Sequence, residues 1–207
     1  MFRLRRIELA AVLALLLTLT VSAVYLHCAE QEQTALAGKM VRLHILANSD
    51  SQRDQERKLR VKDAVFARTE ELLAQAEDQQ AAEQLLADAL PELEALAAAT
   101  LRANGGEEPV RAELTDADFS TRYYDGFTLP AGEYRTLRIV IGEGKGQNWW
   151  CVVFPPLCSA GEESLADAAQ RAGLSEAELH LIESGEGRYL LRFRSLELLQ
   201  RLRALLH

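Results

Sequence analysis

Three glycines alternate around a lysine in the segment GEGKG, residues 142–146, which is the stretch most suggestive of ligand chemistry. A phosphate-binding loop places such glycines between a strand and the N-terminus of a helix, where backbone N–H groups meet the anion. Here the next segment, Asn148 to Phe154, is rich in aromatic and β-branched residues, which indicates another strand. The glycines therefore favour a tight reversal between two strands, in which each supplies a positive φ.

Cys151 and His44 are the residue types that a nucleophile and its general base would require. A reactive cysteine needs an exposed, electropositive site, but Cys151 lies within an apolar run and His44 in the middle of an alternating strand. Those settings are typical of a structural thiol and a structural histidine. No Ser-His-Asp order, paired-carboxylate motif or zinc-type spacing stands out, so the sequence predicts no catalytic residue, no cofactor and no metal.

An acidic cluster follows the first predicted strand and consists of Asn48, Asp50, Asp54 and Glu56. Such a cluster can form a metal loop, but the spacing and the glycine of a calcium loop are absent. Ser51 and Asp54 have the spacing of a capping box, and Ser49 with Gln52 offers a competing register. The cluster therefore favours the start of a helix, where carboxylates satisfy free backbone N–H groups.

Composition limits the class of protein. A chain of 207 residues with 48% hydrophobic content can bury one substantial core. Its formal net charge of −8 argues against a nucleic-acid partner, because phosphate binding needs a basic face. The three cysteines are too few and too widely spaced for a CxxC redox motif.

The N-terminus has the pattern of an export signal. Arg3, Arg5 and Arg6 precede an apolar run from Leu9 to Val24, and Val21-Ser22-Ala23 is a small-residue cleavage pattern. Residues 1–23 are therefore predicted to be a signal peptide, cleaved to leave a chain that begins near Val24 or Tyr25. An uncleaved membrane anchor is the alternative. Residues 24–38 are predicted to be a linker.

Periodicity predicts one α+β domain over residues 39–207, with a mostly antiparallel sheet. A long helical pair is expected over residues 51–73 and 79–102, kinked or restarted at Pro91. Strands are expected at 39–47, 110–114, 119–129, 133–141 and 148–154, the last four forming a meander. Helices at 164–173 and 175–185, a strand at Gly187 to Phe193 and a helix at Leu196 to Leu206 make 160–207 a possible helical subdomain.

Two segments resemble the hallmarks of the stage II sporulation protein R family: VRLHILANSDSQRDQERKLRVKDAV, residues 41–65, and GEYRTLRIVIGEGKGQNWWCVVFPPLC, residues 132–158. The resemblance implies a signalling protein made in the forespore and exported into the space between the two sporulation membranes. There it would trigger a membrane-embedded aspartic protease, its partner, which processes the precursor of the mother-cell factor sigma-E. The alternative is an extracytoplasmic hydrolase, or a cell-wall-binding module that uses the two short helices at 164–185.

Export suggests two further features. Cys151 and Cys158 can form a disulfide in an oxidising compartment, and two reduced core thiols are the alternative. The tip of the predicted hairpin can contact the partner, because exposed aromatic groups beside a polar rim are typical of binding sites. The residues of this hypothetical surface are Gly142, Glu143, Gly144, Lys145, Gly146, Asn148 and Trp149. The alternative is that both tryptophans belong to the core.

Overall fold

The computed structural model describes residues 2–124, 126–158, 162–171 and 173–183. The helices are α1 (Phe2–Ala37), α2 (Gln52–Leu73), α3 (Gln79–Ala103), α4 (Glu162–Arg171) and α5 (Glu176–Glu183). The strands are β1 (Val41–Leu46), β2 (Val110–Phe119), β3 (Arg122–Tyr123), β4 (Thr128–Leu129), β5 (Gly132–Ile141) and β6 (Asn148–Phe154). The predicted α+β class, with its helical pair and C-terminal helices, is confirmed.

β1 lies inside a four-stranded sheet of order β2-β5-β1-β6. It pairs in parallel with β5 and antiparallel with β6, and β2 pairs antiparallel with β5. The predicted meander, and the hairpin of β5 with β6, are therefore wrong, because β1 separates these two strands. The physical reason is burial: every residue of β1 is buried, and a strand covered on both faces belongs in the interior of a sheet. α2, α3 and β2 supply the long connection that the parallel pair requires.

α2 and α3 pack against each other on one face of the sheet. Val61, Val65, Thr69 and Leu73 form the buried stripe of α2, whereas Leu59 is 39% exposed. α3 continues through Pro91 instead of restarting there. The short β3–β4 hairpin contributes to the opposite face, where Tyr124, which follows β3, contacts Arg42 of β1.

The first helix has two parts with different surroundings. Its segment Glu8–Ala37 is long and apolar enough to cross a membrane: the most apolar 18 residues have a mean hydropathy of 2.4, and none of them is buried. A signal sequence has the same properties, so the segment is compatible with the predicted leader. The expected linker differs from the structure, because residues 24–37 continue the helix. Ala29, Gln33 and Leu36, spaced along one side, are buried against the domain.

The two short helices predicted after Cys158 are confirmed as α4 and α5. Ser175 and Glu178 form a capping box at the start of α5: the Glu178 N–H donates to Ser175 Oγ at 3.3 Å, and the Ser175 N–H donates to Glu178 Oε2 at 2.7 Å. Lys39 Nζ also donates to Glu178 Oε2, at 2.7 Å, which ties α5 to the segment before β1. The strand and helix predicted within 187–206 lie outside the described residues.

Candidate functional site

Two segments that are far apart in sequence meet at the C-terminal end of β1. We call residues 142–147, between β5 and β6, the glycine loop, and residues 47–51, between β1 and α2, the asparagine turn. Because β1 lies between β5 and β6, the glycine loop has to pass over the end of β1, where the asparagine turn begins. This connection replaces the predicted tight hairpin turn.

The glycines of the loop serve two different purposes. Gly142 and Gly144 have positive φ values of 59° and 63°, which side chains rarely tolerate. Gly146 does not have a positive φ, contrary to the prediction. A Cβ atom there would lie only 2.2 Å from the carbonyl oxygen of Ser49, so Gly146 is required for the close approach of two backbones.

Four hydrogen bonds join the glycine loop to the asparagine turn. The Gly146 N–H donates to the Ala47 carbonyl at 2.9 Å, and the Lys145 N–H donates to the Asn48 carbonyl at 3.3 Å. Two side chains of the turn accept the others: Asn48 Oδ1 from the Glu143 N–H at 3.1 Å, and Asp50 Oδ1 from the Gln147 N–H at 2.6 Å. Backbone groups that would otherwise need water are thus satisfied within the protein.

Lys58 of α2 also holds the glycine loop in place, through a hydrogen bond to Gln147. This buried ammonium group donates to the Gln147 carbonyl at 3.0 Å and to Gln55 Oε1 at 2.7 Å. Burial lowers its pKa, and the nearby Asp50 carboxylate opposes that shift. Sequence reasoning missed Lys58 and Gln147, because a lysine in an amphipathic helix is ordinarily expected to be exposed to solvent.

The acidic cluster begins a helix, as predicted. Ser51 is the N-cap of α2 and accepts from the Asp54 N–H at 3.2 Å. The Asp54 carboxylate accepts from Ser49 Oγ at 2.6 Å and from Asn48 Nδ2 at 3.0 Å, and these bonds lower its pKa. Asp50 binds the glycine loop. No group of side chains that could hold a metal ion occurs in the part of the chain that the structure describes.

The outer surface of the glycine loop is polar and open. Glu143 and Lys145 are exposed and form an ion pair of 2.7 Å, which raises the pKa of Lys145 and lowers that of Glu143. Asn148 and Trp149 follow at the start of β6 and are also exposed, Trp149 by 36%. Lys62 Nζ of α2 lies 5.0 Å from the centre of the Trp149 ring. Of the hypothetical partner surface, Glu143, Lys145, Asn148 and Trp149 are thus exposed, whereas Gly146 is buried.

The two tryptophans lie on opposite faces of the sheet. Trp149 pairs with Ile45 and faces the helices, whereas Trp150 pairs with His44 and faces away from them. The Trp150 ring stacks on the imidazole of His44 with a centroid distance of 3.7 Å and an interplanar angle of 16°. Trp150 is half-buried, so neither tryptophan is fully enclosed.

The same alternation separates the candidate nucleophile from the candidate base. Cys151 pairs with Leu43 and lies on the helix face, whereas His44 lies on the other face. The two side chains therefore cannot form a nucleophile–base pair. Burial, together with the positive charges of Arg138, Arg122 and Arg42, lowers the pKa of His44 to about 4.

Cys151 and Cys158 contact each other as free thiols. The hydrogen bond between them raises the pKa of Cys151 and lowers that of Cys158. Cys158 Sγ also accepts from the Val152 N–H at 3.2 Å. The chain therefore turns back along β6 and brings both sulfur atoms together. The disulfide itself stays a prediction.

We expect an exported, unreduced sample to label with a thiol reagent at Cys28 alone after denaturation. The reason is that contacting thiols oxidise in a permissive compartment, and closing this short loop would contribute roughly 2–3 kcal/mol in the chain-entropy model. Mass spectrometry of the labelled peptides measures this. A reduced sample, labelled at all three cysteines, is the control. Labelling of Cys151 and Cys158 without reduction would contradict the bridge.

A groove of about 1110 Å³ lies between the end of α1 and the strands β2 and β5. Its acidic lining residues are Glu30, Glu83, Asp116, Asp118 and Glu133. Arg135 forms ion pairs with Glu83 at 2.5 Å and with Asp116 at 3.4 Å. The sequence does not reveal this groove, because its residues come from four separate elements.

The structure defines a class of protein: an α+β domain that follows an apolar N-terminal helix and carries a polar, partly aromatic strip. The family model for stage II sporulation protein R matches residues 37–164, which is more than half of the chain. The chain therefore belongs to the stage II sporulation protein R family, whose members are sporulation signalling proteins. The match includes both the asparagine turn and the glycine loop.

A curated relative agrees with this assignment. Stage II sporulation protein R of Bacillus subtilis (strain 168) is 36% identical over 129 residues, which cover 62% of this chain and 58% of the relative. The matched region thus spans a little over half the length of that relative. No solved structure matches the chain.

Proposed function

We propose that this protein is exported from the forespore and activates a membrane-embedded aspartic protease, which then processes the precursor of sigma-E. The space between the forespore and mother-cell membranes is the proposed location. Family membership supports the sporulation role, and the apolar helix α1 is compatible with export. The protein would act by binding, through the glycine loop and the start of β6.

One observation carries the choice of surface: the glycine loop is rigidly fastened on its inner side and open on its outer side. Hydrogen bonds from the asparagine turn and Lys58 hold the backbone of the loop. Glu143, Lys145 and Trp149 remain exposed on the outer side. A preorganised surface with an aromatic anchor and a polar rim loses little entropy on binding.

Reconstitution tests the function. The protein, the protease and the sigma-E precursor would be co-expressed in a host that does not sporulate, with this chain exported by a foreign signal. We expect precursor cleavage only when all three components are present. The proposal would be wrong if the precursor were cleaved equally well without this chain, or if it were not cleaved when all three components were present.

Replacing Trp149 by alanine is expected to reduce precursor processing at least about fivefold, because an aromatic anchor contributes on the order of 1–2 kcal/mol or more to binding. Immunoblotting measures the exported protein and the processed precursor in the same cells. Leu59→Ala is the matched control, since Leu59 of α2 is exposed to a similar extent, at 39%. If exported Trp149→Ala protein falls in step with processing, Trp149 acts in folding, and the partner surface must lie elsewhere.

We expect the exported form to begin near Val24 or Tyr25. The basic start, the apolar run and the small residues before Val24 are the signals that a signal peptidase reads. N-terminal sequencing of the protein recovered outside the cytoplasm measures the site. Recovery of chains that still begin at Met1 in the membrane fraction would favour the anchor.

A further inference from the structure

The sheet face opposite α2 and α3 carries an unusual excess of positive charge. Arg42 and His44 lie on this face of β1, Arg138 lies beside His44 on β5, and Arg122 reaches it from β3. Arg138 pairs with Glu113 at 3.3 Å, and among the described residues no ion pair is formed by Arg42 or Arg122. This local excess occurs in a chain whose formal net charge is −8.

Aromatic rings line the same face. The Arg122 guanidinium carbon lies 4.8 Å from the centre of the Trp150 ring, and Trp150 stacks on His44. Deeper in, the Arg42 guanidinium carbon lies 3.7 Å from the centre of the Phe119 ring. Cation–π contacts stabilise these arginines through the faces of their guanidinium groups. Arg42 Nη2 donates to the Tyr124 hydroxyl, and the in-plane N–H groups without such a partner remain available to an anion.

Several side-chain nitrogen atoms of this face lack hydrogen-bond partners among the described residues. Arg42 is fully buried, and within the described part of the chain its Nε and Nη1 have no hydrogen-bond partner. His44 Nε2, Arg122 Nε and Arg138 Nε are also buried, and the described residues offer them no hydrogen-bond partner. Buried polar groups are normally satisfied, so such a cluster indicates a missing group of opposite character. Arg138, with a side chain 39% exposed, and the half-buried Arg122 and Trp150 give access from solvent.

We propose that this face, formed by Arg122, Arg138, His44 and Trp150, binds a carboxylate on an acidic segment of a partner protein. Charge complementarity favours an acidic segment as the ligand. The positive face attracts such a segment, whereas the rest of the chain, which is acidic, repels it. Tryptophan and arginine are also the residues enriched in the centres of interfaces. The surface is distinct from the glycine loop, and its existence does not depend on protease activation.

NMR titration of the full-length protein in a zwitterionic detergent tests the site, with a hexaglutamate peptide as the probe. The chain contains two tryptophans, on opposite faces, so it gives two indole N–H signals, which Trp149→Phe assigns. We expect the Trp150 signal to shift with added peptide and the Trp149 signal to stay. A hexalysine peptide should shift neither signal.

Two variants with the same change of charge complete the design. Arg122→Gln with Arg138→Gln should weaken hexaglutamate binding at least about tenfold, the factor expected from one charge-assisted hydrogen bond. Arg53→Gln with Arg60→Gln, at exposed positions of α2, should change it less than about twofold. Arg122→Gln alone, which leaves the Arg138–Glu113 pair intact, gives the answer if the double variant does not fold. The proposal would be overturned if the Trp150 signal did not shift with hexaglutamate, or if both double variants weakened hexaglutamate binding equally.

Discussion

Replacement of Gly146 by alanine is expected to lower the free energy of unfolding by about 2–3 kcal/mol and to abolish precursor processing. The added Cβ would lie 2.2 Å from the Ser49 carbonyl oxygen and 2.9 Å from the Ala47 Cβ. Neither neighbour can move easily, because one is backbone and the other is buried at the end of β1. The glycine loop must therefore shift away from the asparagine turn, at a cost typical of overpacking.

Urea denaturation of the full-length protein measures the change, and the reconstituted cleavage assay measures the loss of activity. Gly38→Ala is the matched control, because a Cβ there would meet its nearest neighbour, the Thr34 carbonyl oxygen, only at 3.4 Å. Its stability should stay within about 0.5 kcal/mol of the parent. A Gly146→Ala protein of parental stability would contradict the close packing of the two segments.

Acidification is expected to destabilise the protein through His44. Its pKa is about 4 in the folded state, because burial and then the positive charges of Arg138, Arg122 and Arg42 disfavour the imidazolium, whereas a hydrogen bond with Asn148 opposes them. An unfolded histidine has a pKa near 6.5, so between these values the unfolded state binds more protons. Stability is therefore complete above about pH 6.5 and falls as the pH drops toward 4, by on the order of 3 kcal/mol.

The free energy of unfolding of the full-length protein at pH 7 and at pH 4 tests this expectation. His44→Gln should remove most of the difference between the two pH values, although it also removes the stacking on Trp150 and lowers stability at both. His27→Gln, at an exposed position in α1, should keep the parental pH dependence. Parallel losses of stability in the parent and in His44→Gln would contradict a neutral His44 in the fold.

The sequence alone determined the local elements of this protein. The cap of α2 at Ser51 and the placement of β1, β5 and β6 follow from spacing and hydrophobic period, which act over a few residues. The positive φ of Gly142 and Gly144 is predicted as well, although from a tight hairpin that the structure does not contain. The two long motifs also indicated the family, because a match over many adjacent residues is more specific than a match to a short pattern.

Tertiary structure decided which strands pair. Strand propensity does not specify partners, so β5 and β6 suggested a hairpin although β1 lies between them. That insertion brings the asparagine turn to the glycine loop, gives Gly146 its close contact with Ser49 and places Cys151 and His44 on opposite faces. It also places Arg42 and Arg138 on one face of the sheet, which Arg122 reaches from the separate β3–β4 hairpin. No local sequence pattern indicates such a cluster, because charges that are far apart in the chain come together only through long-range strand pairing.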